Sequence, residues 1–273
     1  MASTGKLEAK KMTARPVPAA QPGGGLEGRT AIVTGSGRNI GRAIALRFAR
    51  AGANVVVNGH HDRNALDSAV AEIEAIGGRA IAILADVGNH RQVEKMVRTA
   101  ERAFGKVDIT VSNAAVRLRQ PFLEMSVEDW HRTINTNLYS AFYLARAVLG
   151  GMKERKWGRL IHISGEDGFT AHVDCRAHTI VSKAGIHAFA KAIAQEFGAY
   201  GITSNTVSPG PTDTLRDWKQ YPPGWAKKRV EPIPLKRVAT VDDVAGACLY
   251  LAGESGSYIT GQVIHVNGGL FMY

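Results

Sequence analysis

The amino-acid sequence predicts one α/β domain built on a doubly wound parallel sheet of about seven strands. From residue 29 onward, short continuous apolar strands alternate with amphipathic helical segments. This alternation is typical of a parallel sheet covered by helices on both faces. A glycine-rich turn joins the first strand to the first helix. The chain has 273 residues, of which 45% are hydrophobic, and this is enough for one large core.

Each strand is predicted from a short run of aliphatic residues, and each helix from apolar positions that recur with helical spacing. In chain order, the predicted strands are residues 30–34, 55–57, 80–84, 107–111, 159–164, 203–208 and 262–266. The predicted helices are residues 40–51, 63–76, 90–104, 127–154, 176–199 and 241–252. Sheets of this kind bind ligands at the carboxyl ends of their strands, so the residues that follow the strands are the candidates for function.

The two ends of the chain differ in composition. Residues 1–25 are predicted to be a disordered basic tail, because their lysines and arginines precede a stretch rich in proline and glycine. Residues 26–273 are expected to form the folded domain. Because no signal peptide or membrane-spanning apolar run is evident, we expect a cytoplasmic protein without a membrane partner. Cys175 and Cys248 lack disulfide or metal spacing, which predicts reduced thiols and no metal.

The chain carries a formal net charge of +10 and has a pI near 9.7. Nucleic acid is a poor explanation for this charge, since no nucleic-acid motif and no interleaving of aromatic and basic residues is present. An anionic small molecule, either a cofactor or a substrate, is the simpler partner.

The turn after the first strand reads Thr-Gly-Ser-Gly-Arg-Asn-Ile-Gly over residues 34–41. Its glycines let the backbone turn sharply and approach a pyrophosphate, whose charge then lies at the N-terminus of the following helix. A merely tight strand-to-helix turn is the alternative reading of this segment. Further segments decide between the two readings. Asp86-Val87 follows the third strand, residues 112–115 (Ser-Asn-Ala-Ala) follow the fourth, and residues 208–214 follow the sixth.

Together with residues 258–262 and 267–269, these segments resemble the classical short-chain dehydrogenase/reductase family over about residues 28–270. The resemblance implies a single-domain Rossmann fold and a nicotinamide cofactor. It also implies hydride transfer between the nicotinamide and a carbonyl or alcohol substrate. The cofactor-binding residues that it implies are Gly35, Ser36, Gly37, Arg38, Asn39, Ile40, Gly41, Asn58, His60, Asp86, Val87, Asn113, Ala114, Lys183, Pro209, Gly210, Thr212 and Thr214.

Two positions depart from the family pattern. Asn39 replaces the second glycine of the turn, and asparagine tolerates left-handed backbone better than most residues. Ala115 replaces the last glycine of the usual Asn-Ala-Gly run. Neither change is expected to abolish cofactor binding.

The end of the second strand bears on the choice between NAD(H) and NADP(H). An acidic residue there would bind the ribose 2′-hydroxyl and repel a 2′-phosphate, but the position holds Asn58. Asp62 follows too late and is expected to cap the next helix. Arg38 and Arg63 are basic residues that could pair with a phosphate. NADP(H) is therefore favoured, with NAD(H) as the alternative.

The family performs its chemistry with an asparagine, a serine, a tyrosine and a lysine. By the resemblance, Asn137 and Lys183 match the asparagine and the lysine. Thr179 stands four residues before the lysine, where the family has its tyrosine. The serine position falls on Gly165 or Glu166, depending on the direction of counting. Ser164 is the nearest hydroxyl.

A threonine hydroxyl does not ionise usefully near neutral pH, so another group would have to transfer the proton. Five titratable residues surround the expected site, and any one of them taken alone could be an ordinary solvated or capping side chain. They are Glu166, Asp167, His172, Asp174 and His178. We expect His178 and Glu166 to be the best replacements.

Residues 212–238 are expected to form a lid over the substrate, as the resemblance implies. Aromatic and basic residues in this segment, with Arg117 and Arg119 on the same rim, suggest an anionic substrate such as a carboxylate or an acyl thioester. A solvated basic surface is the alternative. The family further implies a homotetramer or homodimer formed through long helices, with contact or core residues Leu138, Ala141, Phe142, Leu149, Ile186 and Phe189.

Three functions are therefore open. The first, which we favour, is an NADP(H)-dependent oxidoreductase with a non-standard proton donor. The second is a cofactor-binding but redox-inactive subunit. The third is a non-redox lyase or hydrolase on the same scaffold.

Overall fold

A computed structural model describes residues 25–171, 174–215, 228 and 230–272 of the chain. The predicted basic tail up to residue 24, His172, and residues 216–227 and 229 of the predicted lid lie outside the described residues. Within the described part no helix is both long enough and apolar enough to cross a membrane.

Seven parallel strands form one sheet, as the alternation of strands and helices predicts. The strands are β1 (Thr30–Val33), β2 (Asn54–Gly59), β3 (Arg79–Leu84), β4 (Ile109–Ser112), β5 (Gly158–Ile163), β6 (Ile202–Pro209) and β7 (Val263–Val266). Their order across the sheet is β3-β2-β1-β4-β5-β6-β7. The order reverses direction between β1 and β4, and the crevice above that point is where such sheets bind ligands.

The described helices are α1 (Asn39–Arg50), α2 (Arg63–Ala75), α3 (His90–Phe104), α4 (Val127–Ile134), α5 (Ser140–Arg155), α6 (Ala177–Phe197) and α7 (Val241–Ala252). Most boundaries lie within two residues of the predicted ones. The predicted helix over residues 127–154 is interrupted by a π-helical turn at Asn135–Tyr139, so its two halves are α4 and α5. Such turns often occur at functional sites.

Two hydrophobic clusters cover the two faces of the sheet because neighbouring residues of a strand point to opposite sides. Ala31 and Val33 of β1 join the cluster formed with α1, α2 and α7, which includes Phe48. Ile32 belongs to the opposite cluster, where α3 and α5 supply Met96 and Leu144 among others. Helices on both faces leave the carboxyl edge of the strands open for a ligand.

Candidate functional site

The glycine turn after β1 is shaped for close approach of its backbone to a ligand. Gly35 has a φ of +62°, which favours glycine. A Cβ on Gly41 would overlap the carbonyl oxygen of Gly35 and would lie 2.6 Å from Asn113 Nδ2. The Asn113 amide donates hydrogen bonds to the carbonyl oxygens of Thr34 and Gly35, at 2.8 and 3.1 Å. The turn is thus held from the end of β4.

Asn39 adopts the left-handed conformation that its position in the turn requires, with a φ of +53°. Its Oδ1 accepts a hydrogen bond from the Leu215 backbone N–H at 2.8 Å, and its Nδ2 donates to the Leu215 carbonyl at 3.3 Å. Asparagine thus provides both the backbone geometry and a link to the segment that follows β6. Glycine could provide only the first.

Ser36 supports the turn from inside the protein. Its hydroxyl donates to the Val33 carbonyl at 2.6 Å and accepts from the Asn58 N–H at 3.0 Å, and its own N–H donates to the Asn58 carbonyl at 2.8 Å. The serine is fully buried. Although predicted to bind the cofactor, its N–H and hydroxyl are both used within the fold.

An open cleft of about 800 Å³ runs along the carboxyl ends of the strands. The predicted cofactor residues that line it are Gly35, Gly37, Arg38, Asn39, Ile40, Gly41, Asn58, His60, Asp86, Val87, Asn113, Ala114, Lys183, Pro209, Gly210, Thr212 and Thr214. The fold therefore brings together every residue of the predicted cofactor set except Ser36.

One end of the cleft lies beside β2. Asn58 is buried there and donates through its amide to the carbonyl oxygens of Ile83 and Ala85, so this side chain ties β2 to β3. Arg38 is exposed and lines the cleft. Arg63, the other predicted phosphate partner, is bound instead to Asp67, with its Nε 2.8 Å from Oδ1.

Two acidic residues at this end of the cleft make hydrogen bonds to nearby backbone. Asp62 caps α2 by accepting from the Ala65 N–H at 3.0 Å, which confirms its predicted role. The Asp86 carboxylate accepts from the Gly88 N–H at 2.9 Å. This bond holds the loop that follows β3 against the cleft.

Lys183 lines the other end of the cleft, and Asn137 supports that end from inside the protein. Asn137 lies in the π-helical turn and is buried. Its Oδ1 accepts from the Val116 N–H at 2.7 Å, and its Nδ2 donates to the Val116 carbonyl at 3.0 Å and to Ser182 Oγ at 3.2 Å. The asparagine thus joins the segment after β4 to α6, the helix that carries Lys183.

Lys183 reaches from α6 to the end of β5, where its Nζ donates to the Ile163 carbonyl oxygen at 2.7 Å. The side chain is almost fully buried but lines the cleft. Burial, together with the positive charge of Arg117, lowers the pKa of Lys183 to about 7, although Asp167 acts in the opposite direction.

Thr179 and His178 are not among the described residues that line the cleft, and both are fully buried. His178 Nδ1 accepts from the Thr179 N–H at 2.8 Å, and burial lowers the pKa of its ring. This position separates His178, predicted as a replacement proton donor, from the predicted site residues that line the cleft. The first turn of α6 directs this ring into the protein, where Asp129 of α4 is a charged neighbour.

Glu166, by contrast, lines the cleft as predicted. It begins a short 3₁₀ turn, Glu166–Gly168, in which Asp167 also faces the cleft and forms an ion pair with Arg176 at 3.6 Å. Both acids are buried. Asp174 is exposed and pairs with Arg119 at 2.7 Å. Arg119 itself is not among the described residues that line the cleft.

Three arginines line this same end of the cleft, namely Arg117, Arg132 and Arg176. Only Arg117 was predicted. Arg132 lies on α4 and Arg176 directly precedes α6, so only the tertiary structure brings them together. The Nε atom of Arg176 is buried and has no hydrogen-bond partner among the described residues.

Ser164 follows β5 and is paired with a histidine that sequence reasoning missed. Its Oγ lies 2.6 Å from Nε2 of His187, which is stacked on Phe169 with ring centroids 4.3 Å apart. Burial lowers the pKa of His187 to about 4, and the charge of Lys183 acts in the same direction. One sequence signal was present: residues 183 and 187 share a helix face because they are four apart.

Known proteins resemble the chain over nearly its whole length. The family model described as enoyl-(acyl carrier protein) reductase matches residues 35–271. A 3-oxoacyl-[acyl-carrier-protein] reductase of Synechocystis sp. is 37% identical over 251 residues, which are 91% of this chain and 99% of the relative. An acetoacetyl-CoA reductase of Allochromatium vinosum is 37% identical over 246 residues, 90% of this chain and 99% of the relative.

The fold is equally well matched among solved structures. A crystal structure described as a short-chain alcohol dehydrogenase from Sinorhizobium meliloti superposes with a TM-score of 0.87 at 30% identity. The match covers 91% of this chain and 98% of that one.

Proposed function

Because the chain belongs to the short-chain dehydrogenase/reductase family and its relatives are oxidoreductases, we propose that it is an NADP(H)-dependent oxidoreductase. In this proposal it interconverts the carbonyl and alcohol forms of a small anionic substrate and uses a proton donor other than tyrosine. One observation carries the proposal. A single cleft joins the glycine turn to Lys183, while Thr179 is buried and does not line it.

The residues present fit a dinucleotide. A Cβ on Gly41 would overlap the Gly35 carbonyl oxygen and crowd Asn113 Nδ2, so only glycine lets the turn close at the N-terminus of α1. Gly35, Gly37 and the N-terminus of α1 would hold the pyrophosphate. Asp86 and Val87 would flank the adenine, and Pro209 and Gly210 would border the nicotinamide. When bound, the cofactor supplies or accepts the hydride.

The preference for NADP(H) rests on the end of β2. Asn58 carries no negative charge to repel a 2′-phosphate, and its amide is occupied by strand carbonyls. Arg38 is exposed and lines the cleft, as do His60 and His61. A guanidinium pairs well with phosphate.

An anionic substrate is supported by Arg117, Arg132 and Arg176, which share the substrate end of the cleft. Because Glu166 and Asp167 balance only part of this charge, an incoming carboxylate would meet a net positive field. Relatives are named for 3-oxoacyl and acetoacetyl thioesters. The first compounds to assay are therefore 3-oxoacyl thioesters and free oxo acids.

We also propose a cytoplasmic homodimer or homotetramer. Phe142 of α5 is 46% exposed and Tyr139 of the π-helical turn is 45% exposed, so these helices present apolar area to solvent in one chain. Size-exclusion chromatography with light scattering tests the state directly. A monomer at micromolar concentration would contradict this part of the proposal.

The central test measures NADPH and NADH binding by fluorescence and then follows NADPH oxidation against a panel of carbonyl compounds. We expect tighter binding of NADPH and oxidation with at least one oxo acid or oxoacyl thioester. Tight binding with no turnover on any carbonyl would favour a redox-inactive subunit. Failure to bind either cofactor would refute the proposal and leave a lyase or hydrolase as the alternative.

The anionic substrate is tested by Arg176→Leu, with an oxo acid and its methyl ester as matched substrates. The variant should raise KM about tenfold or more for the acid, since a charged hydrogen bond is lost, and much less for the ester. Arg119→Leu is the control, because Arg119 pairs with the exposed Asp174 away from the cleft. An equal rise in KM for acid and ester would contradict the assignment.

A further inference from the structure

The structure points to one residue as the proton donor, and the inference rests on the function proposed above. We infer that Lys183 itself protonates the substrate oxygen during carbonyl reduction and removes the proton during alcohol oxidation. In this chain the lysine is therefore a catalytic acid and base, and among the described residues we assign no second side chain between it and the substrate.

The position of Lys183 supports this role. Its Nζ lies 2.7 Å from the Ile163 carbonyl oxygen, and Ile163, Ser164 and Gly165 all line the cleft. One N–H of the ammonium group is thus used by the protein, which leaves two others for the cleft. The neighbouring strand β6 ends in Pro209, which also lines the cleft, so the lysine head is at the end where carbonyl chemistry would occur.

Thr179 does not intervene between Lys183 and the cleft. It lies one helical turn before the lysine on α6 but is fully buried and does not line the cleft. Its neighbour His178 is likewise buried, with Nδ1 bound to the Thr179 N–H. Neither Thr179 nor His178 is therefore placed to transfer the proton.

Burial first, and then the charge of Arg117, favour loss of the Lys183 proton near neutral pH. Arg117 faces it from the segment after β4, and Asp167 faces it from the 3₁₀ turn with the opposite effect. On its own helix, His187 lies one turn further along. Glu166, Arg132 and Arg176 complete the charged groups among the described residues that line this end of the cleft. A lysine poised near pH 7 is a suitable acid and base at the pH of the cell.

The other polar groups are poorer donors. Guanidinium groups do not lose a proton in proteins, which excludes Arg117, Arg132 and Arg176. Asp167 is engaged in an ion pair with Arg176 at 3.6 Å. Ser164 is bound to His187, whose lowered pKa keeps that ring neutral at pH 7. Among the described residues that line this end of the cleft, Glu166 is the one competitor, and the experiment distinguishes it from the lysine.

Atoms and electrons balance in the proton-transfer step. As a hydride from the reduced nicotinamide adds to the carbonyl carbon, the π electrons of the C=O bond move to the oxygen. An N–H bond of the Lys183 ammonium breaks, and the O–H bond of the alcohol forms. The neutral amine then regains a proton from solvent. Alcohol oxidation reverses each of these changes.

The test compares wild type with Lys183→Arg, Glu166→Gln and the control Lys191→Arg, an exposed lysine on the same helix. Arginine keeps the positive charge but is not an acid at this pH. Single-turnover hydride transfer from NADPH is measured from pH 5.5 to pH 9, and NADPH affinity is measured in parallel by fluorescence. The ¹³Cε resonance of Lys183, assigned by its absence in Lys183→Arg, is titrated as a readout independent of activity.

We expect Lys183→Arg to slow hydride transfer about 10²–10⁴-fold at pH 7, with NADPH affinity changed by less than about fivefold (roughly 1 kcal/mol). The wild-type reduction rate should fall as pH rises through the same midpoint that the ¹³Cε titration reports. Primary amines should restore activity to Lys183→Ala. Glu166→Gln and Lys191→Arg should stay within about tenfold of wild type.

Three results would overturn the inference. They are a Lys183→Arg rate close to wild type, a loss confined to Glu166→Gln, and a ¹³Cε midpoint above pH 9. These outcomes differ from failure of the proposed function. If wild type reduces carbonyls and Lys183→Arg does so equally well, the role of Lys183 is contradicted but the proposed function is not. If wild type binds NADPH but reduces no carbonyl compound, the proposed function and the role of Lys183 are both contradicted.

Discussion

Single residues decide how closely a ligand can approach the glycine turn. Gly41 faces the Gly35 carbonyl oxygen and the Asn113 amide so closely that no side chain fits. Gly150, in contrast, lies on α5, and a Cβ at that position would meet open space, with no neighbouring atom within 4 Å. The pair separates the effect of steric overlap from the effect of a glycine-to-alanine change in general.

We predict that Gly41→Ala weakens NADPH binding about 5–150-fold, because overpacking costs about 1–3 kcal/mol. Gly150→Ala should leave binding unchanged and leave stability equal or higher, since alanine favours helix. Fluorescence titration and thermal unfolding of both variants check this. Unaltered NADPH affinity in folded Gly41→Ala would show that the turn does not hold the cofactor.

Residue-level prediction from the sequence succeeded where the backbone alone determines the role. Asn39 was expected to tolerate left-handed geometry, and its φ is +53°. It could not tell that His178 faces the core, because a residue at the start of a helix can face the cleft or the core, and sequence spacing does not say which. Arg176 and His187 were missed since their partners, Asp167 and Ser164, meet them only through the tertiary fold.

At the scale of elements, α7 begins with a complete capping box. Thr240 Oγ1 accepts from the Asp243 N–H at 3.1 Å, and Asp243 Oδ2 accepts from the Thr240 N–H at 2.7 Å. Arg237 also pairs with this carboxylate at 2.7 Å. The hydrogen bond from Arg237, followed by that from the Thr240 backbone, lowers the pKa of Asp243.

We predict that Thr240→Ala destabilises the protein by about 1 kcal/mol, which corresponds to roughly 2–4 °C in Tm for a domain of this size. Thr240→Ser should keep most of the cap, and its loss of stability should be less than half that of Thr240→Ala. Because the pKa of Asp243 is lowered on folding, its contribution is present above its unfolded pKa and is lost as the pH falls below it. A Thr240→Ala variant as stable as wild type would contradict the role of the cap.

Strand β5 carries a titratable side chain, His162, at the centre of the sheet. His162 is buried, lies 3.3 Å from Ser204 Oγ and packs edge-on against Phe189. Burial lowers its pKa from 6.5 to about 4. The folded state therefore binds fewer protons than the unfolded state between these values, and its stability decreases as the pH falls through them.

For His162 alone we expect a loss of about 2 kcal/mol between pH 7.5 and pH 5. Urea unfolding of wild type and His162→Leu at both pH values tests this, because the leucine variant should lose less stability on acidification. His187 contributes in the same direction, so part of the wild-type loss should persist in the variant. Identical losses in the two proteins would assign the acid sensitivity to other groups.

The interruption of the long helix marks the limit of periodicity arguments. The apolar pattern over residues 127–154 predicts one helix, but the π-helical turn at Asn135–Tyr139 adds a residue to one turn without changing composition. By contrast, the helix predicted over residues 90–104 was confirmed at both ends. There Asn89 provides a side-chain cap and Gly105, with a φ of +82°, ends the helix.

For the whole molecule, the fold could be predicted because its evidence is spread along the chain. Alternating strands and helices predict a parallel sheet, and the observed order β3-β2-β1-β4-β5-β6-β7 places the reversal of strand order beside the glycine turn. The cofactor half of the cleft follows from that topology. The substrate half could not be predicted to the same degree, since it depends on how loops after β4 and β5 meet α4 and α6.

The net charge of +10 is a property of the whole molecule, and it has a measurable consequence for cofactor choice. NADPH differs from NADH by a phosphate that adds about −1.5 to −2 charges. Its binding should therefore weaken more steeply with salt than that of NADH, because screening acts on the added charge. We expect this difference to be severalfold in Kd between about 0.05 and 0.5 M NaCl.

Two variants show whether the stronger salt dependence of NADPH binding comes from the end of β2 or from charges spread over the surface. Arg38→Gln should remove most of the difference between NADPH and NADH, because Arg38 lines the cleft. Arg63→Gln should leave this difference unchanged, because the Arg63 guanidinium is already paired with Asp67. Equal salt dependence for both cofactors in wild type would contradict the preference for NADP(H). If both variants reduce the difference between NADPH and NADH equally, the difference comes from the general positive field of the protein. That field steers anions to the cleft without recognising the phosphate.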